Sequence, residues 1–196
     1  MGQRPFTVRS VLNWMRTESM DHLDIHHPPA ATEDDWQARC GVQKSVQTDR
    51  YGCGVACLAM VTGWTYQRAR EHFVSQGLGK RRHGRPPFST SSGEMRMAVA
   101  TAGLLTVTRR WRGWADLHGL AIVKLRDIRP GERERWHWAV AFRHPEFEIA
   151  VFDPHREWPG FIQPPMDTLC TIFEAFQPKG EWLQVEQSFP LAPAVM

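Results

Sequence analysis

Apolar residues in this chain change period near its middle, from helical spacing before residue 103 to alternation after it. From Cys53 to Val61 the apolar positions follow a helix, and Gly63 supplies the stop. Tyr66 to Phe73 continues as a second helix. Ser91 and Glu94 form a capping box for a third, predicted over about 92–102 and ended by Gly103. Beyond it LLTVTRRW, LAIVKL, WHWAVAF, EIAVFD and EWLQVE read as strands, with WADLHG and MDTLCTIFEAF as short helices between them. Helices first and mainly antiparallel strands afterwards predict an α+β domain.

The first 42 residues differ. Residues 4–20 carry Phe6, Val8, Val11, Leu12, Trp14 and Met15 at the spacing of one short amphipathic helix. Residues 21–42 are polar and irregular, and Pro28-Pro29 ends any helix there. The organisation expected is an N-terminal extension, 1–42, and a globular domain, 43–196. The extension would pack across the domain or dock a partner.

A chain of 196 residues is long enough to bury a core. The balance of 24 basic and 21 acidic residues, net +3, is too mild to imply a nucleic-acid partner. No stretch approaches a membrane span, and the N-terminus lacks the apolar run and cleavage site of a signal peptide. A cytoplasmic location follows, unless a signal-independent secretion system exports the protein. Cys40, Cys53, Cys57 and Cys170 are few and irregularly spaced, which fits neither a disulfide framework nor a zinc pair.

The candidate chemistry lies in QTDRYGCGVACLAMVTGW, 47–64, and in two later strands. Cys53 opens the apolar helix, where unpaired N–H groups and the dipole favour a thiolate below the ordinary value of about 8.5. Gly54 would leave the thiol uncrowded for a substrate backbone. His137 alternates with Trp136 and Trp138, so it faces away from both tryptophans and can meet Cys53 as a general base. Asp153 ends the next strand, and pairing of the two strands returns it to His137, to fix the ring's tautomer. Gln47 offers a side-chain N–H to a developing oxyanion beside the N–H of Cys53.

These residues carry a resemblance. Gln47-x5-Cys53-Gly54-x-Ala56-Cys57-Leu58-Ala59-Met60-Val61, with His137-Trp138-Ala139-Val140 and Asp153-Pro154, is similar to the bacteriocin-processing, double-glycine-leader peptidases. The resemblance spans roughly residues 44–190. It implies a papain-like fold, with a helical lobe bearing the cysteine and an antiparallel sheet bearing the histidine and aspartate. It also implies a bacterial cysteine peptidase cutting peptide or isopeptide bonds after small residues such as Gly-Gly, through a thioester. Gln47 would be its oxyanion residue, Cys53 its nucleophile, His137 its base and Asp153 the residue that orients it. Tyr51-Gly52 departs from the family, which has a polar residue and Asp before the cysteine. Family members are often fused to exporters; no exporter domains follow here, and coupling to transport is not implied.

Other readings stand beside this one. The same fold serves acyltransferases and deamidases, as an effector would use, and it also occurs as a binding module that cuts nothing. No cofactor is required. His22, His26 and His27 with Asp21 and Asp24 lack a preformed geometry for a metal, so no metal site is expected. His144 is the rival to His137 for the base, but it falls in a turn before Pro145 and reads as solvated, and His155 suits a surface position equally with a groove wall. Cys40, Cys57 and Cys170 read as buried thiols. The Lys80-Arg81-Arg82-His83-Arg85 run reads as a solvated, mobile loop; the other reading is a groove border that steers an acidic substrate or phosphate-bearing partner.

Overall fold

The structure is a computed structural model that describes residues 41–127, 135–144, 148–155, 178 and 180–186. The helix expected over 4–20, the extension up to residue 40, the histidine–aspartate cluster at 21–27, Cys40, Cys170 and the helix over 166–176 lie outside the described residues.

Three helices come first: α1 (Cys53–Thr62), α2 (Tyr66–Ser75) and α3 (Ser92–Thr101). Every residue of α1 from Gly54 to Val61 is buried. A helix apolar on all sides can only sit inside a core. Gly63, in the left-handed conformation at φ 67°, ends it by donating its N–H to Ala59 O. α2 buries only Ala69 and Phe73, four residues apart, and is capped by Thr65, whose side chain accepts from Arg68 N–H. α3 carries the predicted capping box, Ser91 and Glu94 satisfying each other's backbone N–H groups.

All five predicted strands form: β1 (Leu105–Arg110), β2 (Gly119–Asp127), β3 (Arg135–His144), β4 (Glu148–Phe152) and β5 (Glu181–Glu186). They make one antiparallel sheet in the order β1-β5-β2-β3-β4. The last strand thus enters between the first two. WADLHG contributes a single 3-10 turn, Trp114–Asp116, rather than a helix, because Leu117 is already extended and buried.

Alternation along the strands divides the core in two. Leu120, Ile122, Trp138, Val140 and Phe152 face the helices. Ala121, Val123, Ala139, Ala141 and Val151 face the other way, packed with Leu117 and Trp182 and flanked by Trp111 and Trp114. Among the described residues no helix is long and apolar enough to cross a membrane.

The basic run is not a loose loop. Arg82 and Arg85 exchange both backbone hydrogen bonds around His83 and Gly84, which take positive φ as a type I′ turn requires. Arg82 then donates to Glu94 at 2.9 Å, to Leu78 O at 2.9 Å and to Ser89 O at 2.6 Å. Arg85 reaches Glu94 at 2.8 Å. A guanidinium with its donors committed to protein oxygens is a clamp, so the expectation of a solvated run fails at Arg82 and Arg85. Composition shows only the charge; Glu94, its counterpart, comes from α3.

Burial works against the Glu94 carboxylate, but the Ser91 N–H and Arg82 outweigh it and hold the carboxyl down to about 2. A folded-state value below the unfolded one contributes stability above about 4.5, lost as pH falls through about 2. Glu94→Ala should therefore lower unfolding free energy by about 2–4 kcal/mol at pH 7. The deficit should shrink between pH 4.5 and 2. Urea unfolding at pH 7 and pH 3 measures both; an equal deficit at the two values contradicts the account.

Candidate active site

β3 and β4 are paired through Val140↔Phe152, and Asp153 follows directly. Continuing that register sets Asp153 across from Ala139 and diagonal to His137, on the same face of the sheet. His137 Nε2 lies 2.6 Å from Asp153 Oδ2. The second carboxylate oxygen accepts the N–H of His155 at 2.8 Å. Asp153 is only 2 % exposed, the one buried charged residue among those described. Burial alone would raise its carboxyl; the charge and hydrogen bond of His137, with the His155 N–H, hold it below the ordinary range. An ionised carboxylate can only accept, so the Nε2 proton belongs to the histidine. Nδ1 is then the ring's basic nitrogen.

Cys53 begins α1 and is half-buried. Its helix approaches from the Trp138 side of the sheet, not across a groove from the face opposite the tryptophans. β4 pairing stops at Val140, two residues short of Trp138, and there the Trp138 N–H turns to the Cys53 sulfur. The sulfur also lies within the field of Asp153. Burial pushes the thiol up, against the pull of N–H groups from Trp138, Gly54 and Cys53 itself, and Asp153 adds to the rise. The expectation of a thiol lowered by the helix end alone is thus reversed in sign. The cause is burial, which penalises the anion more than three N–H groups relieve it.

Gln47 is joined to this corner through its backbone, its N–H donating to Pro154 O at 3.0 Å. The glutamine therefore sits next to the segment that carries Asp153. Lys44 adds a tie from its Nζ to His155 O at 2.8 Å. His155 is thus fixed at both backbone groups. His144 ends β3, seven residues or roughly 20 Å along the strand from His137. Cys57 is fully buried one turn into α1, and burial holds its thiol well above the ordinary value.

Gly54 has a different job from the one its position suggests. A Cβ there would lie 2.8 Å from Thr90 Oγ1, 3.4 Å from Met95 Sδ and 3.5 Å from Trp138 Cδ1. The residue faces the core and lets α1 approach α3 and β3. Thr90, its carbonyl near the Trp138 indole N–H at 3.4 Å, is invisible to pattern reading.

Among solved structures, the chain is similar to a double glycine motif protease from an AMS/PCAT transporter, a structure in complex with the leader peptide. Identity is 20 %, the TM-score is 0.51, and the match covers 76 % of this chain and 94 % of that one. The peptidase domain of Streptococcus ComA, a bi-functional ABC transporter involved in the quorum sensing pathway, matches at 18 % identity and TM-score 0.51. It covers 75 % of this chain and 99 % of that one. The fold is that of a double-glycine peptidase domain. No protein-family model and no curated protein matches the sequence. Asp153 ties the corner where β3 and β4 part: it holds His137 Nε2, its charge acts on the Cys53 sulfur, and the next residue, Pro154, takes the Gln47 N–H.

Because burial raises the isolated thiol, its reactivity should depend on the histidine. Alkylation of Cys53 in His137→Ala should begin only above the ordinary thiol range. The unchanged protein should react at least about tenfold faster at pH 7. Peptide-mapped iodoacetamide labelling across pH 5–10 reads this, and superimposable profiles would contradict it.

Proposed function

We propose that this protein is a cysteine peptidase that cleaves peptide or isopeptide bonds after small residues, using Cys53, His137, Asp153 and Gln47. The observation that carries the reading is the buried His137–Asp153 hydrogen bond beside a helix-opening cysteine, within a double-glycine peptidase fold. In this reading Nδ1 of His137 takes the Cys53 proton, and the sulfur attacks the scissile carbonyl carbon. The new oxyanion is met by the Gln47 amide and the Cys53 N–H. His137 returns the proton to the leaving amine, water hydrolyses the thioester, and the thiol is restored. Asp153 keeps Nε2 protonated throughout and stabilises the imidazolium.

Residues 43–196 are assigned as the peptidase unit and 1–42 as an appended segment. A double-glycine preference rests on the leader-peptide complex of the neighbouring structure. It requires a peptide segment with small residues before the scissile bond.

Kinetics on matched peptides, Gly-Gly against bulky residues before the cleavage point, test the proposal. Cys53→Ala should abolish turnover, and Gln47→Ala should lower kcat by about 10²–10³ with little change in KM. Turnover of bulky peptides but not of Gly-Gly overturns the preference. Ligand binding with no turnover, unaltered by Cys53→Ala, overturns the peptidase in favour of a binding module.

A further inference from the structure

The seven residues from Gln47 to Cys53 form a connector between the two groups that would hold an oxyanion. Its ends are fixed, by Gln47 N–H to Pro154 O and by α1, whose Ala56 N–H donates to Gly52 O. Its middle is held by one side chain from α2. Tyr66 donates its hydroxyl to Asp49 Oδ2 at 2.9 Å, and the Tyr66 hydroxyl oxygen accepts Asp49 N–H at 3.3 Å. The Thr48 hydroxyl reaches it as well. Asp49 closes a turn by accepting Gly52 N–H at 3.0 Å. One turn along α2, Arg70 pairs with Asp49 at 3.1 Å while lying over Phe88 at 4.7 Å.

The phenol oxygen occupies the place a side chain at residue 52 would need, since a Cβ on Gly52 would stand 2.1 Å from it. Gly52 does not have a positive φ, at −87°, so its lack of a side chain answers to space, not to backbone conformation. The acidic group of this segment is Asp49, and Tyr66 holds it.

We propose that Tyr66 is a positioning residue for the oxyanion side of the site, fixing the connector so that the Gln47 amide and the Cys53 N–H converge on one point. The inference rests on the peptidase reading above. Tyr66 touches no reacting atom; it acts through Asp49 and Gly52. A displacement of either donor by about 1 Å can cost on the order of a hundredfold in rate, so one hydroxyl placed at the connector's midpoint has large leverage.

The test compares full-length wild type with Tyr66→Phe, alone and in the Gln47→Ala background, on a Gly-Gly peptide. Removing the hydroxyl should lower kcat by roughly ten- to a hundredfold and leave KM within about twofold. In Gln47→Ala the same change should cost less than about threefold, because one of the two donors it brings together is gone. Iodoacetamide labelling of Cys53, which passes through no oxyanion, should be unchanged. Amide exchange at Gly52 and Cys53 should quicken at least about tenfold. Asp49→Asn, which keeps an acceptor for Tyr66, should show a smaller loss in the same pattern. An equal fractional loss in both backgrounds, or unaltered exchange, overturns the proposal. If wild type turns over no peptide, the peptidase reading fails, and amide exchange alone decides whether Tyr66 holds the connector.

Discussion

The site depends on one buried carboxylate. Asp153 is almost wholly removed from water, and an isolated charge there would carry a penalty of several kcal/mol. It survives because each oxygen has a donor, His137 Nε2 on one side and the His155 N–H on the other. Those donors stand where they do because β4 ends at Phe152, opposite Val140, and Asp153 is the next residue. A slip of one residue in that register would turn Asp153 to the opposite face of the sheet. It would also uncover the Val151 and Phe152 layers, so the packing of the sheet and the geometry of the histidine are one constraint.

The same economy appears at α1. Its burial from Gly54 to Val61 makes it the axis of the helical layer, and its first residue is the cysteine. Gly52 and Gly54 flank that residue for steric reasons of different origin. Gly52 yields space to the Tyr66 hydroxyl, and Gly54 yields it to Thr90, Met95 and Trp138. Close approach of α2, α3 and β3 to one helix end leaves the thiol half-buried, and burial is why its proton is held more tightly than in water. A thiol in that state needs a base beside it, and a base whose tautomer is set by a buried carboxylate is suited to the task.

Much of this was legible beforehand. The three helices and five strands follow from periodicity, glycine stops and one capping box, and the His137–Asp153 contact follows from their separation on adjacent strands. What was not legible came from groups brought together across the chain. The thiol's upward shift needs the burial of Cys53, which a local dipole argument omits. Arg82 looked solvated because Glu94, its counter-charge, lies twelve residues on in α3 and in no pattern with it. Tyr66 read as a helix start, and its hydroxyl's role is visible only when Asp49 and Gly52 are seen around it. The face on which Cys53 meets β3 also escaped, since alternation says which side a residue points to and not where a neighbouring helix ends.

The account turns on a covalent step at one sulfur. Rapid acid quenching of the full-length protein with a Gly-Gly ester, followed by intact-mass and peptide-mapped spectrometry, observes it directly. The account predicts a hydroxylamine-labile acyl adduct on Cys53, accumulating before steady state and absent in Cys53→Ala. Ester turnover with no adduct at Cys53, or an adduct at another cysteine, would contradict it.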